Sequence, residues 1–143
     1  MATKIAINGF GRIGRLVLRA LAEAKRDDIE VVLINDLGPV ESNAHLFRYD
    51  TIHGRYPGTV TTGEDRMDIG FGKIKVTAER DPAKLPPQQQ RVDIAMYRPA
   101  IFTQRAPAAL HPEAGAKPVL ISAPCPGADL PVVHCADPVT ITP

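Results

Sequence analysis

Apolar and polar positions follow a clear order along the first third of the chain. Lys4 to Asn8 is a short apolar run that meets a glycine turn, which predicts a strand. From Arg12 onward the polar residues are Arg12, Arg15, Arg19, Glu23 and Arg26, spaced three, four, four and three. Ile13, Leu16, Val17, Ala20, Leu21 and Ala24 fill the other side. The spacing predicts an amphipathic helix with one wet face and one buried stripe. "IEVVLIND" then reads as a nearly continuous apolar strand, the pattern of a parallel sheet covered on both faces. Strand, helix and strand within the first 36 residues make one βαβ unit.

Beyond this unit, "ESNAHLFRYD" predicts a short helix starting near Glu41 or Ser42, and "HGRYPG" a loop or turn. Thr59 to Thr62, Met67 to Gly70 and Lys73 to Ala78 read as short strands separated by glycines. "RDPAKLPPQQQ" is a loop, "VDIAM" a buried-type strand, and Gln104 to Ala116 has helical composition. "PVLISAP" is a strand that tolerates Pro118 as its first residue, and "DLPVVHC" is a candidate for one more. The alternation predicts an α/β fold: a Rossmann-type, doubly wound, mostly parallel sheet with helices on both faces. At 143 residues the chain has the size of one domain and can bury roughly 70% of the surface its unfolded form exposes.

The glycine turn carries the chemistry. Gly9-Phe10-Gly11-Arg12-Ile13-Gly14 fits G-x-G-x-x-G, directly after a predicted strand and opening a predicted helix. Asp36 lies 22 residues after Gly14, at the end of the next strand. Gly9 permits the tight turn. Gly11 lacks a Cβ and lets backbone approach a pyrophosphate, and Gly14 lets helix and strand pack closely. Free N–H groups near Arg12 and Ile13 point at phosphates, where the helix dipole favours negative charge. Asn8, at the strand end, and Phe10, within the turn, complete the predicted cofactor-binding stretch. Asp36 is expected to accept hydrogen bonds from the adenosine ribose hydroxyls and to repel a 2′-phosphate, which favours NAD over NADP.

Composition excludes more than it adds. The formal net charge is +1, with no basic stripe, which counts against nucleic acid as a partner. The longest clearly aliphatic run, Val31 to Ile34, is far too short to span a membrane, and the first residues hold no apolar signal-peptide core. Cys125 and Cys135 show no disulfide or zinc spacing and read as two reduced thiols of a cytosolic protein. No metal site is expected. Of fourteen prolines, twelve fall between Pro82 and Pro143, yet hydrophobic segments continue through this region, so it is not a simple linker.

"INGFGRIGR", "INDLGPVESNAHLFRYDTIHGRYPG", "KIKVTAERDP" and "EAGAKPVLISAP" resemble the N-terminal half of the glyceraldehyde-3-phosphate dehydrogenase family, in the same order and at similar spacing. The likeness runs from about Ala2 to Val133, is very close as far as Pro82, and is patchy beyond. It implies an NAD-dependent aldehyde oxidoreductase of glycolysis, cytoplasmic, with full-length members forming homotetramers. It also implies that Arg80 sits near the adenine and Ser122 near the nicotinamide end. His45 and His53 belong to the matched framework and are expected to be structural.

The family's chemistry, as the resemblance implies it, needs a cysteine thiolate that attacks an aldehyde to give a thiohemiacetal. Hydride then passes to NAD, and phosphate cleaves the resulting thioester. The nucleophile lies in a Ser-x-x-x-Cys-Thr-Thr-Asn-Cys segment and a histidine base comes from a second domain. Neither segment occurs among these residues. Cys125 and the adjacent pair His134-Cys135 do not replace them, since catalytic pairs meet in space rather than in sequence. The expectation is one incomplete NAD-binding Rossmann domain over residues 1–143, lacking the catalytic domain and inactive alone. Where the family commonly continues Leu-Glu-Cys-Thr-Gly, close to the nicotinamide, this chain reads Met96-Tyr97-Arg98-Pro99-Ala100, and the next predicted helix carries Pro107 and Pro112. Two alternatives stay open: the N-terminal part of a related sugar-phosphate aldehyde dehydrogenase, or a non-catalytic nucleotide- or RNA-binding module.

Overall fold

The computed structural model describes residues 2–80, 92–97, 119–122 and 132. The expected loop after Arg80, the helix at Gln104–Ala116, the turn at Arg98-Pro99-Ala100, and His111, Cys125 and Cys135 lie outside the described residues.

The first apolar run forms β1 (Thr3–Asn8), the amphipathic stretch α1 (Arg12–Glu23), and the second apolar run β2 (Ile29–Asn35). The next helix, α2 (Val40–Arg48), starts one residue before Glu41, after Pro39, whose φ of −58° suits a helix entrance. A small hairpin follows, β3 (Tyr49–Asp50) with β4 (Gly54–Arg55), so part of the expected "HGRYPG" loop is paired backbone. Three short strands, β5 (Thr61–Thr62), β6 (Arg66–Asp68) and β7 (Lys73–Thr77), overlap the three expected ones, β5 covering only the second half of Thr59–Thr62 and β6 ending two residues before Gly70. β8 (Ile94–Tyr97) and β9 (Val119–Ile121) complete the described elements.

The main sheet has the order β5-β6-β7-β2-β1-β8-β9. The five strands β7, β2, β1, β8 and β9 are parallel neighbours, while β5 and β6 add on antiparallel beside β7. The chain first grows from β1 toward β2 and β7, then returns to place β8 on the other side of β1. The strand order therefore reverses between β1 and β8, which is where open α/β sheets hold their ligands.

Both faces of the sheet are apolar. Ile7, Ile34, Ile74 and Val76 pack with Leu18 and Ala22 of α1 and with Ala44 and Phe47 of α2. Ala6, Val32, Leu33, Val92 and Ala95 form the opposite face. Val32 is the extra residue of a register shift: Ile5 faces Val31, whereas Ala6 faces Leu33. The bulge explains why Val32 and Leu33, adjacent in sequence, share one face.

The polar stripe of α1 departs from the expected wet face. Arg19 is only 5% exposed. Its guanidinium donates to the Gly54 carbonyl at 2.9 Å, the His53 carbonyl at 3.1 Å and Glu23 at 2.7 Å, and lies 5.8 Å from the centre of the Tyr56 ring. The β3–β4 hairpin has closed over it. Conversely, Ala20, Ala24 and Ile13 of the expected buried stripe are exposed, and Leu18 supplies the inner contact. The helix stops at Glu23, so Arg26 lies past its end and pairs with Asp28.

Candidate cofactor site

The carboxyl ends of the parallel strands form a single row. Thr77 pairs with Asn35, Asn35 with Asn8, Asn8 with Tyr97, and Tyr97 with Ile121. The next residue of several strands extends the ladder by one bond: Gly9 N–H to Asn35 O at 2.8 Å, Asp36 N–H to Thr77 O at 2.9 Å, and Ser122 N–H to Tyr97 O at 3.3 Å. Gly9, Asp36 and Ser122, far apart in sequence, thus leave the sheet at one edge, and Arg80 follows β7 there as an exposed side chain.

Two asparagines lock this edge. Asn35 is 5% exposed and donates to Asn8 Oδ1 and to the Glu79 carbonyl, each at 2.8 Å. Its own Oδ1 accepts from Thr77 Oγ1 at 2.9 Å and from Glu79 N–H at 2.8 Å. Asn8 is therefore held from the side as the chain enters the turn, and the backbone just ahead of Arg80 is pinned to β2.

Gly9 takes φ +101°, a region that favours glycine. Gly14 packs so closely that a Cβ there would sit 2.4 Å from the Gly9 carbonyl oxygen and 3.1 Å from Ile7 Cγ2. Gly11, the residue before α1, has φ −67° and ψ −167°, extended backbone that any residue adopts. Local conformation thus does not demand glycine at Gly11.

The start of α1 is bare. No side chain caps it and no acid lies in its first turn. Its first N–H groups, at Arg12 and Ile13, therefore face outward as donors. Arg12 is half exposed and reaches Asp50 at 3.5 Å. Cations at the positive end of a helix dipole are unfavourable alone and favourable with an anion in front.

Phe10 enters the core rather than the cleft. It is 1% exposed, and its ring stacks on Phe47 with centroids 6.3 Å apart. Phe47 in turn meets Tyr56 edge-on at 4.8 Å. Asp36 accepts the Phe10 N–H through Oδ2 at 2.9 Å and the Gly38 N–H through Oδ1 at 2.9 Å, with Asn43 Nδ2 at 3.5 Å. A carboxylate has about four acceptor sites, so these three donors leave about one for a ribose hydroxyl. Asp36 thus ties the glycine turn to the end of β2, a role that the ribose argument does not include.

Ser122 Oγ is buried and has no hydrogen-bond partner among the described residues. An orphan hydroxyl beside the reversal point is a group that a polar ligand would satisfy. Tyr97 is 4% exposed, and burial pushes its hydroxyl pKa up. Beside Arg12, Asp50 is held well below the usual carboxylate range. The N–H groups of His53 and Ile52 contribute most, burial opposes them, and the His53 ring and Arg12 add to the lowering. His53 thus serves the hairpin, and the His45 ring meets Tyr49 at a tilt of 51° with ring centres 5.0 Å apart. Both roles fit the structural expectation. Among the described residues no group of three or more His, Cys, Asp or Glu could hold a metal, and no helix is long and apolar enough to cross a membrane.

Sequence reading missed Arg15 and Asn35. Arg15 looked like one more solvated charge, although its place three residues after Arg12 sets it beside the turn. Asn35 was absorbed into an apolar strand. The last residue of such a strand is where a polar side chain can reach its neighbours' ends.

Bare helix start, tight glycines, buried hydroxyl and carboxylate fit a dinucleotide phosphate and ribose site. Comparison with known proteins agrees. Residues 3–105 match the family described as "Glyceraldehyde 3-phosphate dehydrogenase, NAD binding domain". The chain is 63% identical over 134 residues to glyceraldehyde-3-phosphate dehydrogenase of Xanthobacter flavus, covering 94% of this chain and 40% of that protein. It is 57% identical over 142 residues to the enzyme of the same name from Cereibacter sphaeroides, covering 99% and 42%. Against that of Thermotoga maritima it is 48% identical over 130 residues, covering 91% and 39%. The chain spans about 40% of the length of the curated relatives it matches. With the reversed strand order and the phosphate turn both in place, the chain belongs to the glyceraldehyde-3-phosphate dehydrogenase family, as its NAD-binding Rossmann domain.

Proposed function

We propose that this chain supplies the NAD-binding part of a phosphorylating glyceraldehyde-3-phosphate dehydrogenase and does not catalyse by itself. The observation that carries the reading is the row of strand ends, which gathers the Gly9–Gly14 turn, Asp36 and Ser122 at the reversal of strand order. Asn8 and Gly9 set the turn, and Phe10 anchors it in the core. Gly11 leaves room for the pyrophosphate, and the N–H groups of Arg12 and Ile13 bind it. Gly14 keeps the helix start close to β1. Asp36 accepts an adenosine ribose hydroxyl, Arg80 lies along the adenine, and Ser122 offers its hydroxyl toward the nicotinamide. NAD, when bound, supplies the hydride acceptor for aldehyde oxidation. The thiolate and the base for that reaction have no counterpart among these residues. For a full-length protein the family likeness points to a cytoplasmic homotetramer. The net charge of +1 gives no support to a nucleic-acid partner.

Calorimetric titration with NAD and NADP tests this reading. The unmodified chain should prefer NAD, and Asp36→Ala should weaken NAD by roughly 10- to 150-fold, the worth of a charged hydrogen bond, while narrowing its advantage over NADP. Equal binding of both cofactors by the unmodified chain would remove the ribose role of Asp36, and binding of neither would remove the reading.

A further inference from the structure

The glycine turn is gripped on both sides of Phe10. The Phe10 N–H donates to Asp36 Oδ2 at 2.9 Å, and the Phe10 carbonyl accepts from Arg15 Nη1 at 2.9 Å. The second contact sits on the peptide that joins Phe10 to Gly11. In a planar trans peptide the C=O and N–H bonds point in opposite directions. A guanidinium that draws the Phe10 carbonyl toward α1 therefore turns the Gly11 N–H the other way.

Arg15 occupies an unfavourable place for a cation. It is half-buried, stands one turn from the positive end of α1, and has Arg12 three residues before it on the same helix. Burial foremost, and Arg12 next, push its pKa down, while Asp50 and Asp36 pull it up. Two carboxylates thus offset two guanidiniums around the turn, and an anion in front of the helix would offset them further.

We infer that Arg15 is a positioning residue for the phosphate turn. Its guanidinium fixes the Phe10–Gly11 peptide so that the Gly11 N–H joins those of Arg12 and Ile13 in facing a pyrophosphate. The inference rests on the NAD-binding reading above. It adds a residue that touches protein backbone rather than cofactor and acts through it.

The test compares adenosine diphosphate with adenosine on the unmodified chain and on Arg15→Gln and Arg15→Lys. Calorimetry reads the diphosphate, and an NMR titration reads the weaker nucleoside. Arg15→Gln should weaken the diphosphate about tenfold, the loss of one hydrogen bond to a charged donor. It should leave adenosine within about twofold, since the nucleoside makes no use of the turn's amides. Arg15→Lys keeps the charge and one donor and should recover most of the loss. Equal losses for both ligands, or no loss of the diphosphate in either variant, would overturn the inference. If the glutamine variant does not fold, Arg15→Met takes its place and is judged by the same ratio. Failure of both to fold would assign Arg15 to the fold alone and overturn the inference. Absence of diphosphate binding by the unmodified chain is a different outcome: it defeats the NAD-binding reading, and the role of Arg15 with it.

Discussion

Gly14→Ala separates packing from ligand contact at the phosphate turn. The added Cβ would lie 2.4 Å from the Gly9 carbonyl oxygen and 3.1 Å from Ile7 Cγ2. Carbon and oxygen atoms approach to about 3.3 Å at closest in weak C–H···O contacts, so helix and turn must separate by roughly 1 Å. The obstructing atom is backbone, and the Gly9 N–H is itself bonded to Asn35 O at 2.8 Å, so no side chain can swing aside. Overpacking costs about 1–3 kcal/mol, and a backbone obstacle argues for the upper end. Alanine inside a helix returns up to about 1 kcal/mol relative to glycine. The net loss is about 2 kcal/mol, or roughly 6 °C in melting temperature for a domain of this size. Because the displaced atom belongs to the turn, affinity for adenosine diphosphate should fall as well, by about tenfold or more. Gly70→Ala is the control. Gly70 has φ +96° in open space, so alanine there costs strain of about 1–2 kcal/mol and should leave diphosphate affinity unchanged. Thermal melts and calorimetry on both variants check this. A Gly14→Ala chain that melts with the parent and binds the diphosphate equally would refute the close packing of α1 on the turn.

Arg19→Met removes the donors to the Gly54 and His53 carbonyls, which lie on exposed residues within reach of water, so urea denaturation should show a loss of about 1.5–3 kcal/mol, the worth of a hydrogen bond to a charged group. The depressed pKa of Asp50 gives stability that is complete above its unfolded value of about 3.9 and is lost as pH falls through and below that value. Asp50→Asn should therefore lower the melting temperature near neutrality and flatten its decline below about pH 4, and parallel curves for the two chains would exclude this role. NAD should bind about as well as ADP-ribose, within roughly threefold, because Tyr97-Arg98-Pro99-Ala100 stands where the family turn meets the nicotinamide; a large NAD preference would show that this stretch orders the ring.

The opening βαβ unit was legible because its signals are local. Chain order carries apolar runs, helical spacing and glycines directly: β1 and β2 lie within one residue of their expected bounds, and α1 starts at Arg12 as expected but ends three residues before Arg26. The G-x-G-x-x-G turn was legible for the same reason, and Gly14 meets Gly9 and Ile7 as helix–strand packing requires. Strand direction in the small β5–β6–β7 meander was not extracted, although it was available. The links at 63–65 and 69–72 are three and four residues long, too short for a parallel crossover.

The fate of the α1 polar stripe was not legible, and the reason is physical. Periodicity reports which residues share a helix face, not what covers that face. Arg19 and Arg15 sit on the polar side, as spacing requires, yet their donors end on carbonyls. Arg19 bonds carbonyls some 35 residues away, on a hairpin whose strands have two residues each. Strands that short show no alternation. A charge on such a stripe and a charge clamped to a distant loop read identically in sequence.

The same distinction bears on how the site is built. A dinucleotide motif names the residues nearest the ligand, but here the turn is held from behind. Asp36 grips the Phe10 N–H, Arg15 grips the Phe10 carbonyl, Asn35 grips Asn8, and the Phe10 ring is seated on Phe47. The grips come from three elements: the end of β2, which supplies two of them, the body of α1, and α2. A site exposed at the edge of a sheet has few buried contacts of its own, so its geometry must come from these neighbours. The glycines make the turn possible, whereas one carboxylate, one guanidinium and one amide decide which of its conformations is kept. Substitutions at Asp36, Arg15 and Asn35 should therefore couple to one another in phosphate affinity more strongly than any of them couples to Arg80. Arg80 is exposed and lies beyond the row of strand ends that these three hold together.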